Sequence, residues 1–177
     1  MSNKYFTKKE ILDLPEAAFP IFTLSDNIRS LFSFLIKKRE KGNYNHFMVA
    51  HRKGFFASQD MTFREVPMEN YLEGNHRLKF YTNPKWDQQA KYTIISAIKR
   101  DLQLPWYTRI YDPLAIVGQL FGINWLQIPG IDICSDYGKY FKLVDNKFDL
   151  KYPSPPDINK YLEKRKAYKC LGRYVPD

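Results

Sequence analysis

Apolar residues recur at helical spacing in some stretches of this chain and alternate with polar ones in others, and the change of period marks its elements. Near the N-terminus, residues Lys8 to Leu14 read as a short helix, followed by a chain crossing to Pro20. Ser25 and Asp26 have the side chains of helix caps, and Ile28, Leu31, Phe32 and Leu35 after them fall on one helical side. The basic run Lys37 to Lys41 suits that helix's C-terminal end, with Gly42 as its stop.

From there the period shortens. His46 to His51 reads as a strand, Arg52-Lys53-Gly54 as a turn, and Phe55 to Ser58 as a returning strand, which together make a hairpin. Met61 to Val66 extends the sheet, Pro67 introduces a short helix over Met68 to Leu72, and His76 to Thr82 forms a further strand. Between Trp86 and Leu102, the apolar positions Ile94, Ile95, Ile98 and Leu102 restore helical spacing. Leu114 to Phe121 reads as a helix with Pro113 at its first position, and the later half of Ile131 to Phe141 as another. A last helix starts after Ser154-Pro155-Pro156-Asp157 and runs to about Lys166. Helix, antiparallel strands, then helices is the order of an α+β domain.

Composition narrows this picture without changing it. The chain has 177 residues, enough for one domain with a real core, and neither a repeat nor a linker divides it. We therefore expect a single domain over 1–177, with residues 1–20 as an N-terminal extension. Its 28 basic and 19 acidic residues leave a charge of +9, which draws the surface toward polyanions such as anionic lipid or acidic wall polymers. The charges are dispersed and no nucleic-acid motif is present. The chain shows neither the apolar core of a signal peptide after its first lysines nor an apolar run of membrane-spanning length, so a cytoplasmic or particle-associated protein is expected. Its two cysteines, Cys134 and Cys170, make no disulfide framework. No metal-ligand spacing emerges from them and the three histidines, and no cofactor is expected.

Candidate chemistry rests on one cysteine and one histidine. Cys134 follows the Pro129-Gly130 loop where a helix is expected to begin, and a helix N-terminus beside a histidine favours the thiolate. A cysteine at such a place also serves as a small buried hydrophobe. His46 opens a strand, His51 lies at its far end beside Arg52 and Lys53, and His76 stands next to Arg77 at another strand start. Cys170, between Lys169 and Leu171, reads as a bystander.

The segment Tyr44 to Ala50 with the strand Phe55 to Ser58 resembles the histidine strand, turn and strand of circularly permuted papain-like enzymes. These are the NlpC-type hydrolases and acyltransferases that include the lecithin:retinol acyltransferase relatives. Tyr111-Asp112-Pro113 is similar to that family's stretch leading into a helix, Ile133 to Tyr137 to its nucleophile signature, and Ser154 to Ile158 to a segment near its C-terminus. The resemblance implies a papain-like fold, with a small antiparallel sheet packed on the nucleophile-bearing helix. It implies Cys134 as nucleophile and His46 as base. The place of the third, imidazole-orienting residue is occupied by Ser58 or Gln59, where the family often carries Glu or His.

The expected function is a cysteine-dependent hydrolase of amide bonds acting through an acyl-enzyme, with a peptide or acyl substrate. As the broader family implies, cell-wall (peptidoglycan) stem peptides are the foremost substrate. The alternative is an inactive papain-like domain that binds or builds part of a larger assembly such as a virus particle. A neutral third residue suits that alternative, because it orients an imidazole without stabilising its charge.

Overall fold

The computed structural model describes residues 4–27, 43–59, 62–74, 76–110, 112, 114, 117–118, 123, 138–148, 150 and 153–176. Helix α1 (Lys8–Leu12) opens with Thr7, whose hydroxyl accepts from the Glu10 amide while Glu10 reaches back to the Thr7 amide. This reciprocal capping satisfies donors that the first helical turn leaves open. The next element is strand β1 (Ile21–Asn27). Ser25 and Asp26, expected as helix caps, lie within this strand. Pairing with β2 and β5 on both sides places their backbone in the sheet interior. The helix expected over Ile28 to Lys41 lies outside the described residues.

Strands β2 (His46–Arg52) and β3 (Phe55–Gln59) form the expected hairpin, turning at Gly54. Gly54 has φ of +77°, a conformation that side chains with a Cβ rarely adopt. Strand β4 (Phe63–Pro67) follows, then helix α2 (Met68–Glu73), strand β5 (His76–Thr82) and helix α3 (Gln88–Leu102). Helices α4 (Lys139–Lys142) and α5 (Pro155–Lys164) come next, with Ser154 capping α5. Strand β6 (Lys169–Tyr174), which the sequence pattern did not signal, closes the chain.

The described strands all pair antiparallel, in the order β4-β3-β2-β1-β5-β6. Alternation along the strands divides the sheet into two buried faces. On the first, Phe22, Phe47 and Tyr81 pack with Trp86, Ile94, Phe141 and Leu162 from the helical layer. On the second, Ile21, Met48, Phe56 and Phe80 pack with Ile11 of α1 and with Tyr71 and Leu72 of α2. At the β6 edge, the chain around Tyr5 runs beside Arg173, with Phe6 N–H donating to the Arg173 carbonyl. Gly172 allows that approach: a Cβ there would stand 2.8 Å from the Lys4 carbonyl oxygen.

Candidate active site

His46 is the first residue of β2 and faces the second side of the sheet with Met48 and Ala50, since side chains alternate along a strand. Register then selects its neighbours. Met48 pairs with Ser58, which places the Ser58 side chain on the same face one step along from His46. His46 Nε2 lies 2.8 Å from Ser58 Oγ, and Ser58 Oγ lies 2.8 Å from the Tyr71 hydroxyl. Tyr71 comes from α2, which folds back over this face. Its ring stacks beside that of His46 with centroids 6.3 Å apart, and its hydroxyl is 3.5 Å from Nε2.

A second histidine joins from β5. His76 meets the edge of Tyr71 with centroids 4.9 Å apart, and its Nδ1 lies 2.9 Å from Ser25 Oγ. Ser25 is fully buried and pairs directly with His46 across β1 and β2. The outcome is a polar cluster at one end of the sheet: His46, Ser58, Tyr71, His76 and Ser25. Ser58 and Tyr71 are buried, whereas both imidazoles are half-buried and so reachable.

Of the two third-residue candidates, the structure brings Ser58 to the imidazole. Gln59 points to the opposite face, where its amide donates to the Arg109 carbonyl at 3.0 Å. There it ties the β3 end to the segment after α3, and Arg109 Nη1 in turn donates to the Phe63 carbonyl. A role for Gln59 in orienting His46 is corrected accordingly: adjacent residues of a strand cannot serve one side. Cys134 lies outside the described residues. Of the helix expected over the later half of Ile131 to Phe141, the described residues show α4, whose Phe141 packs on Phe22 and Phe47 of the first face. Leu114 to Phe121 is likewise described only in part.

The chemistry open to the cluster follows from its atoms. With Nε2 directed at Ser58, the neutral tautomer that carries its proton on Nε2 leaves Nδ1 as the basic nitrogen of the ring. In that tautomer Nε2–H donates to Ser58 Oγ and Ser58 O–H donates to Tyr71, a chain that holds the ring plane without adding charge. Sequence reading missed Tyr71, His76 and Ser25, because each is brought in by sheet register or by α2 folding back. Only His76 carried a signal, as a histidine at a strand start.

The third histidine is built differently. His51, on the first face, hydrogen-bonds Glu65 through Nε2 at 2.7 Å, and its side chain is 0% exposed. Burial pushes its pKa below the ordinary value, against the opposing pull of Glu65. The Arg52 guanidinium, gripping both Glu65 oxygens, is the largest cause holding that carboxyl down at about 2. Among the described residues no group of three His, Cys, Asp or Glu side chains is disposed to hold a metal ion.

Comparison with known proteins adds to the fold and not to the chemistry. No family model matches the chain, and no curated protein matches it. Among solved structures, it is similar to metalloprotein yiiX (DUF1105) from Escherichia coli O157:H7, with a TM-score of 0.55 and 13% identity. The match covers 89% of this chain and 97% of that one. The chain is thus an α+β protein built on a six-stranded antiparallel sheet, an architecture similar to that of yiiX.

Proposed function

We propose that the protein is a cysteine-dependent hydrolase of the permuted papain-like kind, with His46 as base and Cys134 as nucleophile. The observation that carries this reading is the His46 imidazole, half-buried at a strand end with Nε2 held by Ser58 and Tyr71. An imidazole oriented through one nitrogen is prepared to work through the other. Nδ1 takes the Cys134 proton, and the thiolate attacks a substrate carbonyl carbon. The tetrahedral intermediate collapses as the imidazolium returns its proton to the departing amine, leaving an acyl-enzyme. Water, deprotonated by the same Nδ1, then releases the acid and restores the thiol. Amide substrates such as wall stem peptides fit this chemistry, and the charge of +9 favours an anionic wall or surface.

A second reading has its own support. Two hydroxyls, those of Ser58 and Tyr71, hold the imidazole, and α4 packs against the face opposite His46. An inactive domain that binds within a larger assembly would retain both features. The two readings part on thiol reactivity. In a Cys170→Ser background, alkylation of Cys134 by iodoacetamide is followed from pH 5 to 9, with and without His46→Ala. Rapid alkylation persisting well below pH 8 and slowed by the substitution is expected for an activated thiolate. An ordinary thiol profile that ignores His46 would sink the hydrolase reading.

A further inference from the structure

On the first face of the sheet, away from His46, strands β5 and β6 and helix α5 enclose a pocket of about 370 Å³. That volume lies within the range of small-molecule sites, about 300–1,000 Å³. Its walls are apolar or aromatic where Tyr81, Pro84, Leu162 and Tyr168 line it. Its charged lining is lopsided. Lys79, Lys166, Lys169 and Arg173 contribute four cations against the single carboxylate of Glu163.

The cations differ in how they are held. Lys79 has a side chain only 3% exposed, and its Nζ bonds Glu163 and Asn159. The Tyr81 hydroxyl donates to the same Asn159 oxygen, so the floor of the pocket is fixed from three sides. Glu163 is thereby committed to Lys79. No ion pair is formed by Lys166, Lys169 or Arg173 among the described residues. Three uncompensated cations around a concave, partly apolar wall focus positive potential into it. A wall of solvated lysines alone would bind counterions loosely. Here Lys166 and Lys169 are exposed, whereas Tyr81, Leu162 and Tyr168 of the same lining are buried.

We propose that this pocket binds an organic anion: a carboxylate or phosphate headgroup on an apolar body. The headgroup meets Lys166, Lys169 and Arg173, and the body packs on Leu162 and between Tyr81 and Tyr168. Cys170, which also lines the pocket, becomes covered when it is filled. The inference is independent of the hydrolase reading, since it uses neither His46 nor Cys134.

The test is calorimetric titration of the full chain with octanoate, octyl phosphate and inorganic phosphate at constant ionic strength, alongside alkylation of Cys170 in a Cys134→Ser variant. One-to-one binding of at least one octyl compound is expected, with slowed Cys170 alkylation. The tighter of the two then names the headgroup. The exposed substitutions Lys166→Glu and Lys169→Glu, which leave the core untouched, should together weaken binding by about tenfold or more. Lys53→Glu, on the distant β2–β3 turn, makes one such charge reversal elsewhere, half that of the double variant, and should leave affinity within about twofold. Unaltered affinity in the double variant, equal losses in Lys53→Glu and the double variant, or an unprotected Cys170 would each overturn the proposal. So would inorganic phosphate binding as tightly as octyl phosphate, which would mean that the apolar walls do nothing.

Discussion

His46 and His51 stand five positions apart on one strand, and they divide the features expected of a catalytic histidine between them. His51 has the carboxylate partner, Glu65, and through it a guanidinium. His46 is met by two hydroxyls, those of Ser58 and Tyr71. A search for an imidazole-carboxylate pair would choose His51. Accessibility reverses that choice, because no part of the His51 side chain reaches solvent while His46 is half-buried at the strand end. Odd spacing puts the two on opposite faces. The carboxylate of Glu65 therefore belongs to a fully buried histidine, and the hydroxyls of Ser58 and Tyr71 to a half-buried one. His51 Nδ1 is buried without a hydrogen-bond partner, which is tolerable as a bare lone pair and costly as an N–H.

The contrast can be broken in graded ways. The largest effect is expected from His46→Ala, which should lower hydrolysis of a cognate amide by about 10²–10⁴-fold with little change in unfolding. An equal loss from His51→Ala, measured at matched folded fraction, would erase the distinction. His51→Ala should instead act on stability. It empties a buried site and strands Glu65's contact, for a loss of about 2–4 kcal/mol in urea unfolding.

Ser58→Ala should cost about 1–3 kcal/mol by leaving buried partners unsatisfied, and should slow Cys134 alkylation by about tenfold through the freed imidazole. Gln59→Ala, one residue on, is expected to spare alkylation and to register only in unfolding, by ~1 kcal/mol. A similar alkylation defect in both variants would place the orienting role elsewhere. The smallest effect is in pH dependence. His51 has a folded pKa below its unfolded value, so the unfolded chain takes up its proton first on acidification. Stability should therefore begin to fall as pH drops below about 6.5. Glu65, depressed to about 2, adds a second loss as pH falls from about 4.5 toward 2. Urea midpoints between pH 8 and 5 check the first window, which should vanish in His51→Leu.

Much of the architecture was readable because local signals agreed with one another. The β2–β3 hairpin, Pro67 before α2 and the span of β5 each join a periodic stretch to a turn or boundary residue, while α5, expected after Asp157, begins at Pro155 under its Ser154 cap. Two strands escaped. β1 contains Ser25 and Asp26, which look like helix caps, yet Asp26 is buried against Arg77 from β5. β6 is written Lys-Cys-Leu-Gly-Arg-Tyr, with no clean alternation, and is held by pairing to β5 and by the chain around Tyr5. In both, tertiary pairing overrode the local preference.

The candidate site divides along the same line. His46 was singled out because the segment Tyr44 to Ala50 resembles the histidine strand of permuted papain-like enzymes. Ser58 and Gln59 stood equal there, since a one-dimensional pattern does not reveal which face a neighbouring strand presents until its register is known. Tyr71 and Ser25 had no local mark and His76 only its place at a strand start, the three being brought near one another across α2, β1 and β5. By itself, then, the sequence determined the hairpin, the helices with clear caps, the basic surface and the histidine at the strand head. The sheet order, the partners of each histidine and the pocket between β5, β6 and α5 were decided by the tertiary structure. Hydrogen-bonded register and the packing of two faces are properties of pairs of segments, and no segment carries them alone.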